Sequence, residues 1–187
     1  VDDLRHLMLV PDSMSREDIA ANAAIPLVAA GGPAALTLRA VGEQSGYSPQ
    51  AVHQWFGSRA ALHRAVAGRF VARWTRWVDL RTGRQGIASL LPENDEVAGW
   101  ARVWLALHHL ARADDEVASY LAYTRSVERD SLARLAGPGG SPEALVELHA
   151  LVEGLRLQLC SEVSTDSYAE ACRLLDRALA RSQVPSA

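Results

Sequence analysis

The chain is read as all-helical, with a small three-helix N-terminal domain joined by a long fourth helix to a larger helical domain. Three observations predict this. Apolar residues recur at spacings of three and four through almost every stretch longer than ten residues, and no run shows the strict alternation of a half-buried strand. The candidate helices are separated by capping residues, glycine and proline rather than by long irregular segments. With 187 residues and 49% hydrophobic content, the chain is long and apolar enough to build a packed core.

Each element follows from its boundary signals. Ser15, with Asp18 three residues on, forms a capping box for a helix over 15–30, which Gly31-Gly32-Pro33 ends. Pro26 inside that helix removes a hydrogen bond and is expected to distort it near Asn22. Thr37, Ser48 and Ser58 each stand where a helix can start, giving helices over 37–44, 48–54 and 58–80. Ser48-Pro49 and Ser141-Pro142 put a cap before proline at the first helical position, where the missing N–H is harmless. Periodicity then predicts a short helix near 86–91 and longer ones over 94–112, 114–136, 142–163 and 167–182. The GPGGSP run at 137–142 is the clearest linker. The domains are drawn at 15–57 and 58–187, with 58–80 as the linking helix.

Composition narrows the function classes. No apolar run reaches the roughly 18 to 20 residues that cross a bilayer, and no charged segment leads into a cleavable apolar one, so a cytoplasmic protein without membrane association is expected. Cys160 and Cys172 lack CxxC spacing, which argues against a disulfide framework or a zinc site. His108 and His109 have no further ligand at helical spacing, so neither metal nor cofactor is expected. No nucleophile with an adjacent base and no phosphate-cradling glycine loop occurs, so no enzyme is expected. The net charge of −3 is unevenly distributed. Residues 15–81 hold eight arginines against four acids, and residues 82–187 hold ten against fifteen. All nineteen basic residues are arginine, a side chain suited to bidentate phosphate contacts.

The basic part contains LTLRAVGEQSGYSPQAVHQWFGSRAAL. A short helix from Thr37 is stopped by Gly46, which can take the left-handed conformation, and a second begins at Ser48. Small Gly42 lets the two helices cross closely, and Leu38, Val41, Val52 and Phe56 form an apolar seam behind them. This is a helix-turn-helix whose second helix faces outward, where a major groove can admit it; taken alone, it is equally an ordinary helical hairpin. Gln50 and Gln54 share one helix face and can bond bidentately to an adenine edge. Arg39 faces out beside them.

Residues 16–62 as a whole resemble the N-terminal domain of the tetracycline-repressor (TetR) family of bacterial regulators. The first helix carries Ala23, Ala24, Leu27 and Val28, and the family's pattern is filled by Leu36-Thr37-Leu38-Arg39, Val41, Gly46, Ser48, Val52-His53, Phe56, Ser58-Arg59 and Leu62. The resemblance implies that Thr37, His53 and Arg59 contact phosphates, and that Ser48, Gln50, Ala51 and Gln54 lie at the start or exposed face of the recognition helix. It departs from the family at His53, which replaces a tyrosine, and at the acidic segment before residue 15, where a basic arm is usual. The acidic segment lowers the expected DNA affinity, and a phosphate contact from His53, mostly neutral near pH 7, is expected to strengthen as the pH falls.

In the linking helix Leu62, Val66, Phe70, Trp74 and Trp77 form one apolar stripe. Core packing accounts for any single tryptophan there. Together, Trp74, Trp77, Trp100 and Trp104 with His108, Tyr120, Tyr123 and Thr124 resemble the lining of a site for a small apolar or amphipathic effector. In the helix over 142–163, Leu145, Leu148, Val152, Leu155 and Leu159 form the seam of a helix pair, and the last helix offers Leu175 and Leu179. The resemblance implies that these two helices pair with their copies in a homodimer; otherwise they cover their own domain's core. The expected function is a ligand-responsive regulator, a repressor binding a pseudo-palindromic double-stranded operator. The second reading is a ligand-binding or protein-interaction dimer of the same fold with weak or lost DNA binding.

Overall fold

The computed structural model describes residues 14–161 and 167–183. Among them are eight α-helices and no strand: α1 (Arg16–Gly31), α2 (Leu38–Ser45), α3 (Pro49–Phe56), α4 (Arg59–Gln85), α5 (Asp95–Leu110), α6 (Asp115–Ala136), α7 (Pro142–Cys160) and α8 (Tyr168–Ser182). The segment expected as a short helix near 86–91 is a 3-10 turn, Ile87–Leu90. The acidic segment ahead of Met14, and positions 162 and 163 assigned to the seventh long helix, lie outside the described residues.

All eight helices start on a side-chain cap. Ser15, Thr37, Ser48, Ser58, Ser141 and Ser167 each accept a hydrogen bond from the backbone N–H three residues on, at 3.1–3.2 Å. Asn94 accepts from the Val97 N–H, and Asp114 from those of Glu116 and Val117. Each cap satisfies an otherwise orphan donor and contributes about 1 kcal/mol. These local contacts, rather than long-range ones, explain why the starts were readable in advance.

One element keeps its expected span through an interior proline, and another runs longer than expected. Helix α1 runs uninterrupted through Pro26. Pro26 is exposed, while Ala20, Ala21, Ala24, Ile25 and Val28 on the other side are buried, so packing holds the helix although Asn22 loses its main-chain donor. Helix α4 continues five residues past 80 because its last turn is tied together. The Thr82 hydroxyl donates to the Val78 carbonyl, the Arg81 guanidinium lies 5.2 Å from the Trp77 ring centre, and Arg81 also bonds Gln85. Gly86, at φ 71°, then ends it.

The chain divides into two compact units. The first comprises residues up to Trp74 together with Arg102–Leu121, and the second comprises Thr75–Ala101 and the residues from Ala122 onward. In the first, α1, α2 and α3 bury Leu36, Val41 and Val52, and α4 adds Leu62, Val66, Phe70 and Trp74. The Phe70 and Trp74 rings stack at 5.8 Å. In the second, Leu90, Leu132, Leu148, Val152, Leu155 and Leu175 are buried.

Candidate nucleic-acid interface

The turn between α2 and α3 is set by two glycines. Gly46 caps α2 in the left-handed conformation, φ 78° and ψ 14°, and the Gly46 and Tyr47 N–H groups both donate to the Gly42 carbonyl. A Cβ on Gly42 would stand 2.6 Å from the Tyr47 carbonyl oxygen, so close passage of the turn over α2 excludes any side chain there. Val41 and Val52 are fully buried, whereas Leu38 and Phe56 are half-buried.

This packing leaves one side of α3 outward. Ser48, Gln50, His53 and Gln54 are exposed, and Ala51 is half-buried. Gln50, His53 and Gln54 are spaced three and four apart and therefore share a face. Helices α2, α3 and α4 start at exposed Thr37, Ser48 and Ser58, so each has a positive dipole end able to meet a phosphate.

The arginines expected to face DNA already hold partners. Arg39 Nε is 2.8 Å from Glu43 Oε1, one helical turn on, with both side chains well exposed. Arg59 Nη2 donates to the Pro33 carbonyl at 3.0 Å, and its Nε donates to His63 Nε2 at 3.3 Å. Burial, and secondarily the Arg59 charge, hold His63 below the ordinary histidine range, against a smaller opposing effect of Asp114. Asp114 also accepts from Arg64 Nε at 2.8 Å while capping α6, and these bonds hold its carboxyl below the usual carboxylate range.

Sequence reasoning missed an aromatic pair beside the turn. Tyr47 and Trp55 meet edge to face, with centres 4.9 Å apart and planes at 85°. They straddle the start of α3 at a spacing of eight, which no simple periodicity flags.

The residues expected to line an effector site divide equally between the units. In the first, Trp74 and Trp104 are buried. His108 lies with its ring 4.0 Å from that of Trp104 and its Nδ1 2.9 Å from the Trp104 carbonyl. Tyr120 rests against Gly68, whose Cβ would meet the ring at 3.4 Å, and its hydroxyl donates to Glu116. In the second, Trp77 and Thr124 are buried, Trp100 is half-buried, and Tyr123 is 57% exposed.

The second unit also buries a charged cluster that the sequence reading did not single out. Glu128 accepts from Arg156 Nη2 at 3.0 Å, and its other oxygen lies 3.0 Å from His149 Nε2. Arg156 Nε also donates to the Leu90 carbonyl. The available signal was His149 and Arg156, seven residues apart and directly beside the leucine seam.

Of the residues expected at a dimer interface, Leu148, Val152, Leu155 and Leu175 are buried within the chain, and Leu159 and Leu179 are half-buried. The large apolar side chains exposed on the same helices are Val146, Leu157 and Leu174. Among the described residues, no group of His, Cys, Asp and Glu could hold a metal ion, and no helix is long and apolar enough to cross a membrane.

Comparison with known proteins agrees with this architecture. Residues 14–66 match the family model for bacterial regulatory proteins of the tetR family. A transcriptional regulator from Rhodococcus sp. Rha1 superposes with a TM-score of 0.77 at 21% identity, covering 92% of this chain and 100% of that one. A protein described as a TetR-family transcriptional regulator from Rhodococcus sp. gives 0.69 at 23% identity, over 90% and 98%. A protein described as a transcriptional regulator from Streptomyces coelicolor A3(2) gives 0.66 at 19%, over 88% and 98%. No curated protein matches the sequence. At such identities the solved structures speak for the fold, and the matched N-terminal segment speaks for the family. With its two short helices crossing at Gly42 and the outer face of α3 open, the N-terminal segment over residues 14–66 is the helix-turn-helix domain that the model for bacterial regulatory proteins of the tetR family matches.

Proposed function

We propose that the protein is a ligand-responsive transcriptional regulator, a repressor acting as a homodimer on a pseudo-palindromic operator. The observation that carries this reading is the outward face of α3, with Gln50, His53 and Gln54 together, set among three capped helix starts. Gln50 and Gln54 read base edges in the major groove; Ser48 and Ala51 lie along the same surface. Thr37, Arg39, His53 and Arg59 meet phosphates. Arg59 keeps its bonds to the Pro33 carbonyl and to His63 and directs its remaining donors at DNA, which its five N–H groups allow.

The two recognition helices of a dimer would enter successive major grooves about 34–36 Å apart. Because much of the leucine seam is buried in the chain's own core, the surface left for a second copy is the outer side of α7 and α8. Val146, Ala150, Leu157 and Leu174 are exposed there, and Gly154 opens onto free space. A small apolar or amphipathic effector bound in the helical domain would act by preferring one spacing of the recognition helices over another.

The experiment is DNA binding by the purified protein, using DNA from upstream of its own gene across a series of salt concentrations. Affinity should fall with a log–log slope of about −0.9 per phosphate neutralised. Arg59→Ala should weaken binding uniformly across sequences, whereas Gln50→Ala should relax the preference at one position by about 1–3 kcal/mol. Absence of salt-dependent binding would leave the second reading, a dimer of this fold without useful DNA affinity. A chain that sediments as a monomer at micromolar concentration would remove the homodimer.

A further inference from the structure

Just ahead of the α1 cap, the half-buried thioether of Met14 stands between two N–H donors from different helices. Arg69 Nη2, on α4, lies 3.4 Å from its sulfur, and Asn22 Nδ2, on α1, lies 3.6 Å away. A thioether is a weak acceptor, so both donors are poorly satisfied. The same two side chains each carry a further polar atom, Arg69 Nε and Asn22 Oδ1, that is buried with no hydrogen-bond partner. Asp18 offsets the arginine's charge only at a distance, with Oδ1 3.6 Å from Nη1. The donors directed at sulfur are Arg69 Nη2 and Asn22 Nδ2, and an oxygen on the sulfur would give both a stronger acceptor.

We propose that Met14 is a site of reversible oxidation whose sulfoxide is bound by Arg69 and Asn22, tying the entry of α1 to α4. A peroxide supplies the oxygen. Its O–O bond breaks as an S–O bond forms, sulfur loses two electrons, and the peroxide leaves as water or an alcohol. The usual consequence of methionine oxidation is damage, because a polar oxygen is forced into an apolar site. Here the oxygen is a strong acceptor formed beside a guanidinium and an amide N–H, where charge-assisted hydrogen bonds are the stronger kind. Methionine sulfoxide reductases act on such products, which makes the state resettable.

The chain has two methionines and two free cysteines, so Met8→Leu with Cys160→Ala and Cys172→Ala leaves Met14 as the one sulfur for peroxide to attack. That variant is treated in its folded state with hydrogen peroxide, oxygen addition at Met14 is located by peptide mass spectrometry, and thermal melting is recorded before and after. The expected result is oxidation at Met14 with a melting temperature raised by about 2–4 °C, reversed by methionine sulfoxide reductase. The rise should vanish when Asn22→Ala or Arg69→Ala is added, each compared with its own unoxidised form. A melting temperature that falls or stays constant on oxidation, or a Met14 that resists peroxide while the chain is folded, overturns the proposal. None of these readouts involves DNA, so the outcome is independent of the proposed regulatory function.

Discussion

His63 shows how one side chain near the helix-turn-helix can make the fold sensitive to acid. Its Nε2 accepts from Arg59 Nε, which requires that nitrogen to be unprotonated. Burial first, and the neighbouring Arg59 second, depress its pKa below 6.5. The folded chain therefore keeps His63 neutral in a range where the unfolded chain takes up a proton. The stability tied to this group is fully present above pH 6.5 and is lost as the pH falls from there through the depressed folded value. The melting temperature should decline on acidification across that window, and His63→Gln should flatten the decline. An unchanged decline in the variant would assign it to other groups.

At the scale of the element, caps and turns dominate. Ser48→Ala removes the hydroxyl that accepts from the Ala51 N–H and should cost about 1 kcal/mol, a fall of about 2–4 °C in melting temperature. Gly42→Ala should cost more, about 1–3 kcal/mol, because its methyl group meets a backbone oxygen rather than a movable side chain. Denaturant titration of the two variants would rank them, and a milder effect at Gly42 would contradict the close crossing. These positions were legible in the sequence because capping and left-handed glycine are local chemistry, involving residues within four of each other. Five cap residues, Ser15, Thr37, Ser48, Ser58 and Ser141, can be named from spacing alone. The helix expected over 15–30 forms with Pro26 inside it, since the penalty of a proline is local but the burial of Ala20, Ala24 and Val28 that offsets it is tertiary.

For the molecule as a whole, the buried ion cluster is the feature with the greatest leverage within the second unit. Glu128 on α6 joins His149 and Arg156 on α7, and Arg156 reaches the 3-10 turn at Leu90, so the carboxylate and the guanidinium together link three segments. Removing Glu128 takes the opposing charge from a buried guanidinium. Glu128→Ala should cost about 3–5 kcal/mol, and Glu128→Ala with Arg156→Leu should recover much of that, as chemical denaturation can measure. A single variant near wild-type stability would mean that the charges are less enclosed than their burial indicates.

The all-α class, the helix starts, the turn at Gly46 and the outward face of α3 were determined by the sequence itself, because each rests on short-range hydrogen bonds or on one helical period. The burial of the leucine seam, the Glu128 cluster, the Tyr47 and Trp55 pair and the placement of Met14 between Arg69 and Asn22 were decided only by tertiary structure. Their partners are distant along the chain or out of helical phase, and periodicity carries no record of which apolar face meets the chain's own core.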